Sequence, residues 1–521
     1  MLIMTCVYPL VTTGSIYNVQ DYGAVGDGVT LETKAIQAAV DECSKKGGTV
    51  LLTPGTYLSG TIYMRSNVTL HISQGATLLG SADLSHYPAN APDIEFYGST
   101  WLDYALIYGE DLENIALEGK GRIDGQGAKF VIENNKKPFR YMNRPYIIWF
   151  IKSKNIRVED LYLTNSALWM QHYLACENIR ITGIEVYNHA NKNNDMIDID
   201  GCKDVIISDC IGDTDDDALT FKSTCGIPVE NVTVTNSIFS SHCNAIKFGT
   251  ESTGGFKNIT ISNCVVKPSE SSTKIYGSFE GDGGLALEMV DGGVMEGIII
   301  SNIRIHGSQV PLFIRLGNRT RPYKDGQTNI PVGKLRNVHI SNIIATGANQ
   351  IGSSITGIPG FPVQDISLSN ISIHYSGGGT KEDAERLIPE EESSYPEGNM
   401  FGNLSAYGLF IRHAENINME NIKINYNNDD VRPALVIDDG VNIRITSLQA
   451  KISSAAPALI RINNSRAVFI TTSSARGKVN VFALVEGQKT ADIYLVNNWL
   501  ESARKSVRYG AGVDKKTVTV K

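Results

Sequence analysis

A four-residue pattern recurs through the middle of the chain: NIRV at 155–158, NIRI at 178–181, DVII at 204–207, NVTV at 231–234 and NITI at 258–261. Each copy begins with Asn or Asp and then alternates apolar with polar residues, which is typical of a β-strand that follows a tight bend. From the second copy onward the copies lie 26 or 27 residues apart. A period of this length indicates a solenoid, in which each turn of chain buries its apolar side against the next.

The fold predicted from this repeat is a right-handed parallel β-helix, because no helical pattern recurs between the strands. Later copies at 297, 337, 365, 416 and 442 are less evenly spaced, and we expect insertions near 267–283 and 376–404 within a single β-helix domain over 15–521. One amphipathic helix is predicted at 33–43, where it would cap the open N-terminal end of the solenoid.

Composition excludes several classes of function. The 521 residues carry 47 Lys and Arg against 55 Asp and Glu, and this net charge of −8 argues against a nucleic-acid partner. No apolar stretch reaches the roughly 18 residues of a membrane span. The eight cysteines form no paired CxxC pattern, and we expect no metal ion or other cofactor. Residues 1–14 (MLIMTCVYPLVTTG) are apolar but lack a basic start, so a truncated secretory signal and a plain extension both stay open.

A cluster of acidic residues is the main candidate for a catalytic site. Asp195 precedes Asp216 and Asp217 by about one coil of the repeat. Residues one coil apart stack at roughly 4.8 Å in a parallel β-helix, so these carboxyl groups should be neighbours. Like charges at this distance raise at least one pKa. Hydrolysis of a glycosidic bond needs one protonated and one ionised carboxyl group, which such a cluster provides.

Polar residues on the same and the next coil extend this candidate site. His242 and Asn244 follow Asp216 and Asp217 by 26 and 27 residues, respectively, and should lie beneath them. Lys222 and Lys247 are 25 residues apart, so we expect their side chains to stack on each other.

Several motifs resemble those of glycoside hydrolase family 28, the polygalacturonases and their relatives. They occur in order over about residues 15–450: GRIDGQG at 121–127, Arg-Pro at 144–145, Asn-Ser at 165–166, Asn-Asn-Asp at 193–195, and Asp-Asp at 216–217 followed by LTFKS at 219–223. The resemblance implies a right-handed β-helix that hydrolyses a pectin-type or related polysaccharide with inversion. It also implies that Asp216 is the general acid, that Asp195 and Asp217 hold the attacking water, and that Asn193 lies in the substrate site.

The sequence departs from this family at two motifs. Asn244 stands where the family has a His, with His242 two residues earlier, and Glu288 replaces a base that holds the substrate carboxylate in polygalacturonases. We therefore expect a divergent member that prefers a neutral sugar such as rhamnose or galactose. A galacturonide stays open, because Lys222, Lys247 or Arg315, the last a candidate subsite residue, could supply the missing positive charge.

The two insertions could wall off one end of the cleft, which favours attack at chain ends. A polysaccharide substrate implies a secreted or periplasmic protein. Two alternatives remain. One is a polysaccharide lyase or epimerase, in which the acidic residues 213–217 would hold Ca²⁺. The other is a non-catalytic carbohydrate-binding solenoid, although binding alone does not need crowded acids.

Overall fold

The computed structural model describes residues 14–521, so residues 1–13, most of the signal-like segment, lie outside the described part of the chain. Over this range the chain forms a right-handed parallel β-helix, as the repeat predicts. Its strands pair in parallel from coil to coil in three stacks, which we call sheets 1, 2 and 3. Six long strands bend at a corner and contribute to more than one sheet.

The strands are as follows. Sheet 1 contains Ser15–Asn18, Gly48–Leu52, Val68–Ile72, Glu113–Glu118, Lys154–Glu159, Glu177–Thr182, Lys203–Ser208, Val229–Thr235, Arg466–Thr471, Ala491–Val496 and Val518–Val520. Sheet 2 contains Asp27–Leu31, Gly55–Ser59, Ala76–Gly80, Arg122–Asp124, Tyr162–Thr164, Glu185–Asn188, Ile211–Thr214, Ile238–Ser241 and Ser474–Arg476. Sheet 3 contains Ile62–Tyr63, Ala105–Glu110, Tyr146–Ile151, Gln171–Leu174, Ile197–Asp200, Leu219–Ser223, Asn244–Ser252, Gly283–Met289, Val310–Leu316, Ser353–Thr356, Ile460–Asn463, Val479–Glu486 and Ala503–Tyr509. The long shared strands are Phe256–Lys267, Val294–His306, Lys334–Ala348, Val363–Gly377, Leu409–Asn428 and Leu435–Lys451.

The Asn that opens each sequence repeat forms a ladder at one corner of the coil. Asn155 and Asn178 both have φ of +55°, a left-handed conformation that Asn adopts more readily than most residues. The side-chain amide of Asn178 donates to Asn155 Oδ1 at 2.7 Å, and that of Asn155 donates to Asn114 Oδ1 at 2.8 Å. The next residue of each repeat, such as Ile156 or Ile179, points into the core and is buried. The repeat therefore encodes both the bend and the stacked core.

The predicted capping helix spans Thr33–Ser44. Its apolar face, with Ile36, Ala39, Val40 and Cys43, is buried against the first coils. A second helix, Lys381–Glu385, begins with a capping box at Thr380 and lies in the 376–404 insertion. Short 3-10 helices occur at Val19–Tyr22, Leu84–His86, Gly127–Lys129, Phe139–Tyr141 and Lys515–Thr517. None of the described helices has the length and apolar character needed to cross a bilayer.

Candidate active site

The register of sheet 3 aligns the acidic residues that the sequence brought together. Ile197 pairs with Leu219, and Leu219 pairs with Ile246 on the next coil. Two residues before these strands, the same register places Asp195 beside Asp217 and Asp217 beside Asn244. Asn244 completes the column by donating its backbone and side-chain N–H groups to Asp217 Oδ1 at 3.0 and 2.9 Å.

Asp195, Asp216 and Asp217 form a compact group of carboxyls, which we call the acidic triad. One oxygen of each lies within 4.8 Å of the others. Asp195 and Asp217 are buried, whereas Asp216 is partly exposed. Asp216 is held in place by its backbone N–H, which donates to Asn194 Oδ1 at 2.9 Å, and by Asn193 Nδ2, which donates to Asp216 Oδ2 at 3.3 Å.

Two lysines divide the triad into unequal members. Lys222 Nζ lies 3.0 Å from Asp195 Oδ2, and Lys247 Nζ lies 3.1 Å from Asp217 Oδ2. Among the described residues, no Lys, Arg or His nitrogen lies within 4.0 Å of the Asp216 carboxyl. Two carboxyls thus have an ammonium partner and the third has none, which makes Asp216 the member best suited to stay protonated.

Burial and charge act on these groups as follows. Burial raises the pKa of Asp216 well above its usual value, and the neighbouring Asp195 and Asp217 raise it further. Burial also raises the pKa of Asp195, but there the Lys222 ammonium opposes the effect. A protonated carboxyl beside carboxylates held by ammonium groups can combine acid and base functions in one site.

The triad lies in a cleft of about 380 Å³, at the small end of the range for ligand pockets. The predicted insertion at 267–283 contributes Tyr276, Gly277 and Asp282 to the lining, and the insertion at 376–404 contributes Tyr395 and Glu397. The two segments that interrupt the repeat therefore supply walls of the cleft.

The structure corrects the expected stacking of the two lysines. Lys247 pairs with Thr220, while Lys222 pairs with Asp200 on the preceding coil. A register shift after Phe221 breaks the regular spacing, so counting residues from coil to coil misplaces Lys222. Lys222 lines the cleft, and Lys247 lies behind it, bridging Asp217 and Glu397.

Three predicted substrate-binding residues do not line the cleft. Glu288 is fully buried behind Lys247, with 3.9 Å between its Oε2 and Lys247 Nζ. Arg315 is also fully buried and donates to the carbonyl oxygens of Gly357, Glu390 and Glu391. His242 is buried beside Asp215. Their positions correct the expectation that they contact the sugar, because protein covers each of them.

The remaining predicted substrate residues lie at or next to the cleft. Asn193 lines it and accepts a hydrogen bond from Arg144 Nη2 at 3.2 Å. Asn244 acts one step behind the lining, through its hydrogen bonds to Asp217.

Sequence reasoning missed most of the cleft lining. Lys137, Arg140 and Tyr141 come from the segment between Arg122–Asp124 and Tyr146–Ile151, which no repeat predicts. Glu251 pairs with Arg321 across the cleft edge, and Tyr395 presents a half-exposed ring. The Gly-rich, acidic composition of 376–404 marked that segment as an insertion, but nothing in it indicated which residues reach the site.

A parallel β-helix with crowded carboxyls in a small cleft defines a β-helical carbohydrate-active enzyme. Residues 43–393 match the family model for glycosyl hydrolases family 28. The chain belongs to this family and is a glycoside hydrolase, which disfavours the lyase, epimerase and binding-protein alternatives.

Several known proteins are similar to this chain. A probable polygalacturonase from Vitis vinifera is 29% identical over 382 residues, covering 69% of this chain and 74% of that protein. The exo-poly-alpha-D-galacturonosidase of Dickeya chrysanthemi is 26% identical over 304 residues, covering 48% of this chain and 50% of its own. Among solved structures, an exopolygalacturonase from Thermotoga maritima superposes with a TM-score of 0.60 at 23% identity, covering 79% of this chain and 92% of that one, which shows the shared fold.

Proposed function

We propose that this protein is an exo-acting galacturonidase, which removes galacturonic acid from the ends of pectin-type chains by inverting hydrolysis. The observation that carries the proposal is a pair of unneutralised cations at the triad. Lys137 and Arg140 line the same cleft, and no carboxylate among the described residues lies within 4.0 Å of either. A cleft with free positive charge beside an acid suits a sugar that carries its own carboxylate.

The earlier argument for a neutral sugar depended on Glu288 facing the substrate. Since Glu288 is buried behind Lys247, it cannot repel a sugar carboxylate by direct contact. The relatives named as polygalacturonases support the same acidic substrate class. Rhamnosides and galactosides remain the alternatives that the experiment below must distinguish.

The exo mode of action is supported by the walls of the cleft. A site that cuts inside a polymer needs a groove open at both ends, whereas Tyr276 and Tyr395 come from insertions that close around the triad. A polymer of this size is processed outside the cytoplasm, and we accordingly propose a secreted or periplasmic enzyme.

The proposed mechanism assigns each carboxyl a role. Asp216, protonated, gives its proton to the glycosidic oxygen as the bond to the leaving chain breaks. Asp195 and Asp217, held ionised by Lys222 and Lys247, orient a water molecule and take its proton as it attacks the anomeric carbon. Both buried carboxylates lie behind Asp216, which favours water over a carboxylate as the nucleophile.

The spacing within the triad bears on this assignment. Its closest oxygens lie within 4.8 Å, less than the 6.5–9.5 Å common between the acid and base of inverting enzymes. A water that donates two ordinary hydrogen bonds of about 2.8 Å can bridge carboxylate oxygens roughly 4.5–5 Å apart. We therefore place the water between Asp195 and Asp217, within reach of the sugar.

The substrate proposal is tested with matched oligosaccharides of equal length ending in galacturonate, rhamnose or galactose. We expect kcat/KM to be highest for the galacturonide. Arg140→Ala should lower kcat/KM on the galacturonide by about 10–100-fold, since a charged hydrogen bond contributes about 1.5–3 kcal/mol, and should change that on neutral substrates little. Lys136→Ala is the matched control, because Lys136 is an exposed neighbour outside the cleft lining.

Two results would contradict the proposal. One is a higher kcat/KM on a rhamnoside or galactoside than on the galacturonide. The other is an equal loss on all three substrates in Arg140→Ala, which would indicate a structural role for Arg140.

A further inference from the structure

A second group of metal-ligating side chains lies at the end of sheet 2, beside the cleft wall. Asn188, Thr214 and Ser241 are register partners on three successive coils. The residues that directly follow them are His189, Asp215 and His242, so the same column of the β-helix brings these three side chains together. We call them the His–Asp–His cluster.

The donor atoms of the cluster converge. Nitrogen or oxygen atoms of all three side chains lie within 4.8 Å of one another. His189 Nδ1 is 3.8 Å from Asp215 Oδ2, and His242 Nδ1 is 3.4 Å from Asp215 Oδ1. Two imidazole nitrogens and one carboxylate form a donor set that binds Zn²⁺ and related divalent transition metals.

Three of these imidazole nitrogens lack a partner. Within the described part of the chain, His189 Nδ1 and both ring nitrogens of His242 accept or donate no hydrogen bond. The side chains are nearly inaccessible, with relative exposures of 5% for His189 and 0% for His242. Buried polar atoms without partners are unusual in folded proteins and call for an explanation such as a bound ion.

A neighbouring carboxylate sets the orientation of His189. Its Nε2 lies 3.0 Å from Asp213 Oδ1, which accepts the ring proton and leaves Nδ1 free to face Asp215. A metal-bound His typically donates its other ring N–H to a carboxylate in this way, which fixes the tautomer.

From this geometry we infer that His189, Asp215 and His242 bind one divalent transition-metal ion, with Zn²⁺ as the best match, and that the ion has a structural role. The ion would join three coils at the base of the cleft wall. The Asp215 carboxylate also accepts the backbone N–H groups of Ile275 and Tyr276 at 2.8–2.9 Å. Since Tyr276 lines the cleft, the metal site would stabilise the 267–283 wall without entering the reaction.

The acidic triad is a poorer metal site, although its oxygens lie equally close. Lys222 and Lys247 already neutralise two of its three carboxyls, and their ammonium groups would repel a cation. The proposed ion is independent of the identity of the sugar, so the two proposals can fail separately.

The test is metal binding by the full chain. The purified protein is stripped with a chelator, and Zn²⁺ binding is then measured by calorimetry and by elemental analysis after gel filtration. We expect one Zn²⁺ per chain, a higher melting temperature with Zn²⁺, and slower proteolysis within 267–283, because an ion that binds only the folded state stabilises it. Co²⁺ substitution of the wild type should give the visible absorption bands of a nitrogen-ligated site.

Variants locate the ion. His242→Gln and His189→Gln should each weaken Zn²⁺ binding by at least about 100-fold, since loss even of an outer partner commonly costs 10–100-fold. His71→Gln, a partly exposed histidine on a distant coil, should bind normally, as should Asp216→Asn in the triad. The proposal is overturned if the wild type binds no Zn²⁺ and shows no Co²⁺ bands, if both histidine variants bind as well as the wild type, or if Asp216→Asn abolishes binding.

Discussion

At the scale of single residues, the site depends on unequal neutralisation of three similar carboxyls. Lys222 and Lys247 each hold one member of the triad, and Asp216 is left without an ammonium partner. The same burial that destabilises a carboxylate then favours the protonated form of Asp216. One residue type can thus serve as acid and as base within a few ångströms.

Asp216→Asn should lower kcat by about 10²–10⁴, because the amide cannot donate a carboxyl proton, while substrate affinity changes little. Steady-state kinetics on an oligogalacturonide measure both parameters. Asp209→Asn, the same chemical change at an exposed bend, is the control. Retention of more than about a tenth of wild-type kcat by Asp216→Asn would show that another group is the acid.

The pH profile tests the roles of the two kinds of carboxyl. Activity that needs protonated Asp216 is present below its raised pKa and is lost as the pH rises through it. Activity that needs ionised Asp195 is lost as the pH falls through the pKa of that group, which Lys222 holds down against burial. Lys222→Gln should therefore move the acidic limb of the kcat profile to higher pH. An acidic limb that stays in place would mean that Asp195 is not the base.

At the scale of structural elements, the Asn ladder explains why the repeat tolerates little change at its first position. Asn178 has a left-handed backbone, and Ala pays a steric penalty there of about 1–2 kcal/mol, whereas Gly does not. Asn178→Ala should consequently melt at a lower temperature than Asn178→Gly, and both below the wild type, since each loses the hydrogen bond to Asn155. Thermal denaturation followed by circular dichroism gives the order, and Ala melting above Gly would refute the account of the bend.

Arg315 illustrates an element held from beneath. Its guanidinium donates to the carbonyls of Glu390 and Glu391 and so fixes the insertion that carries Tyr395 and Glu397 into the cleft. Arg315→Ala should raise KM and also speed proteolysis within 376–404, because buried carbonyls lose their donors. Arg336→Ala, a surface arginine paired with Glu296, serves as control. A raised KM with unchanged proteolysis would instead indicate direct contact between Arg315 and the sugar.

At the scale of the whole molecule, local pattern predicts what repeats and misses what folds back. The Asn-opened strands predicted the β-helix, and coil spacing placed Asp195 beside Asp216 and Asp217. The same counting misplaced Lys222, because a register shift after Phe221 adds residues to one coil.

The cleft walls come from segments far apart in the sequence. Arg140 and Tyr395 meet the triad only through tertiary folding, and no spacing rule relates them. Alignment alone also placed Glu288 in the substrate site, whereas the structure covers it with Lys247. Motifs therefore predict the residues on the regular strands better than those on the insertions that shape specificity.

The central claim is that the triad hydrolyses an α-galacturonide from the chain end with inversion. Proton NMR spectra recorded during the first minutes of digestion of an oligogalacturonide test it most directly, because they show both the size and the anomeric form of the new product before mutarotation. The account predicts galacturonic acid monomer released first as the β-anomer, with none released by Asp216→Asn. Release of the α-anomer first would indicate retention, and a product with an unsaturated ring would indicate elimination, and either result would contradict the account.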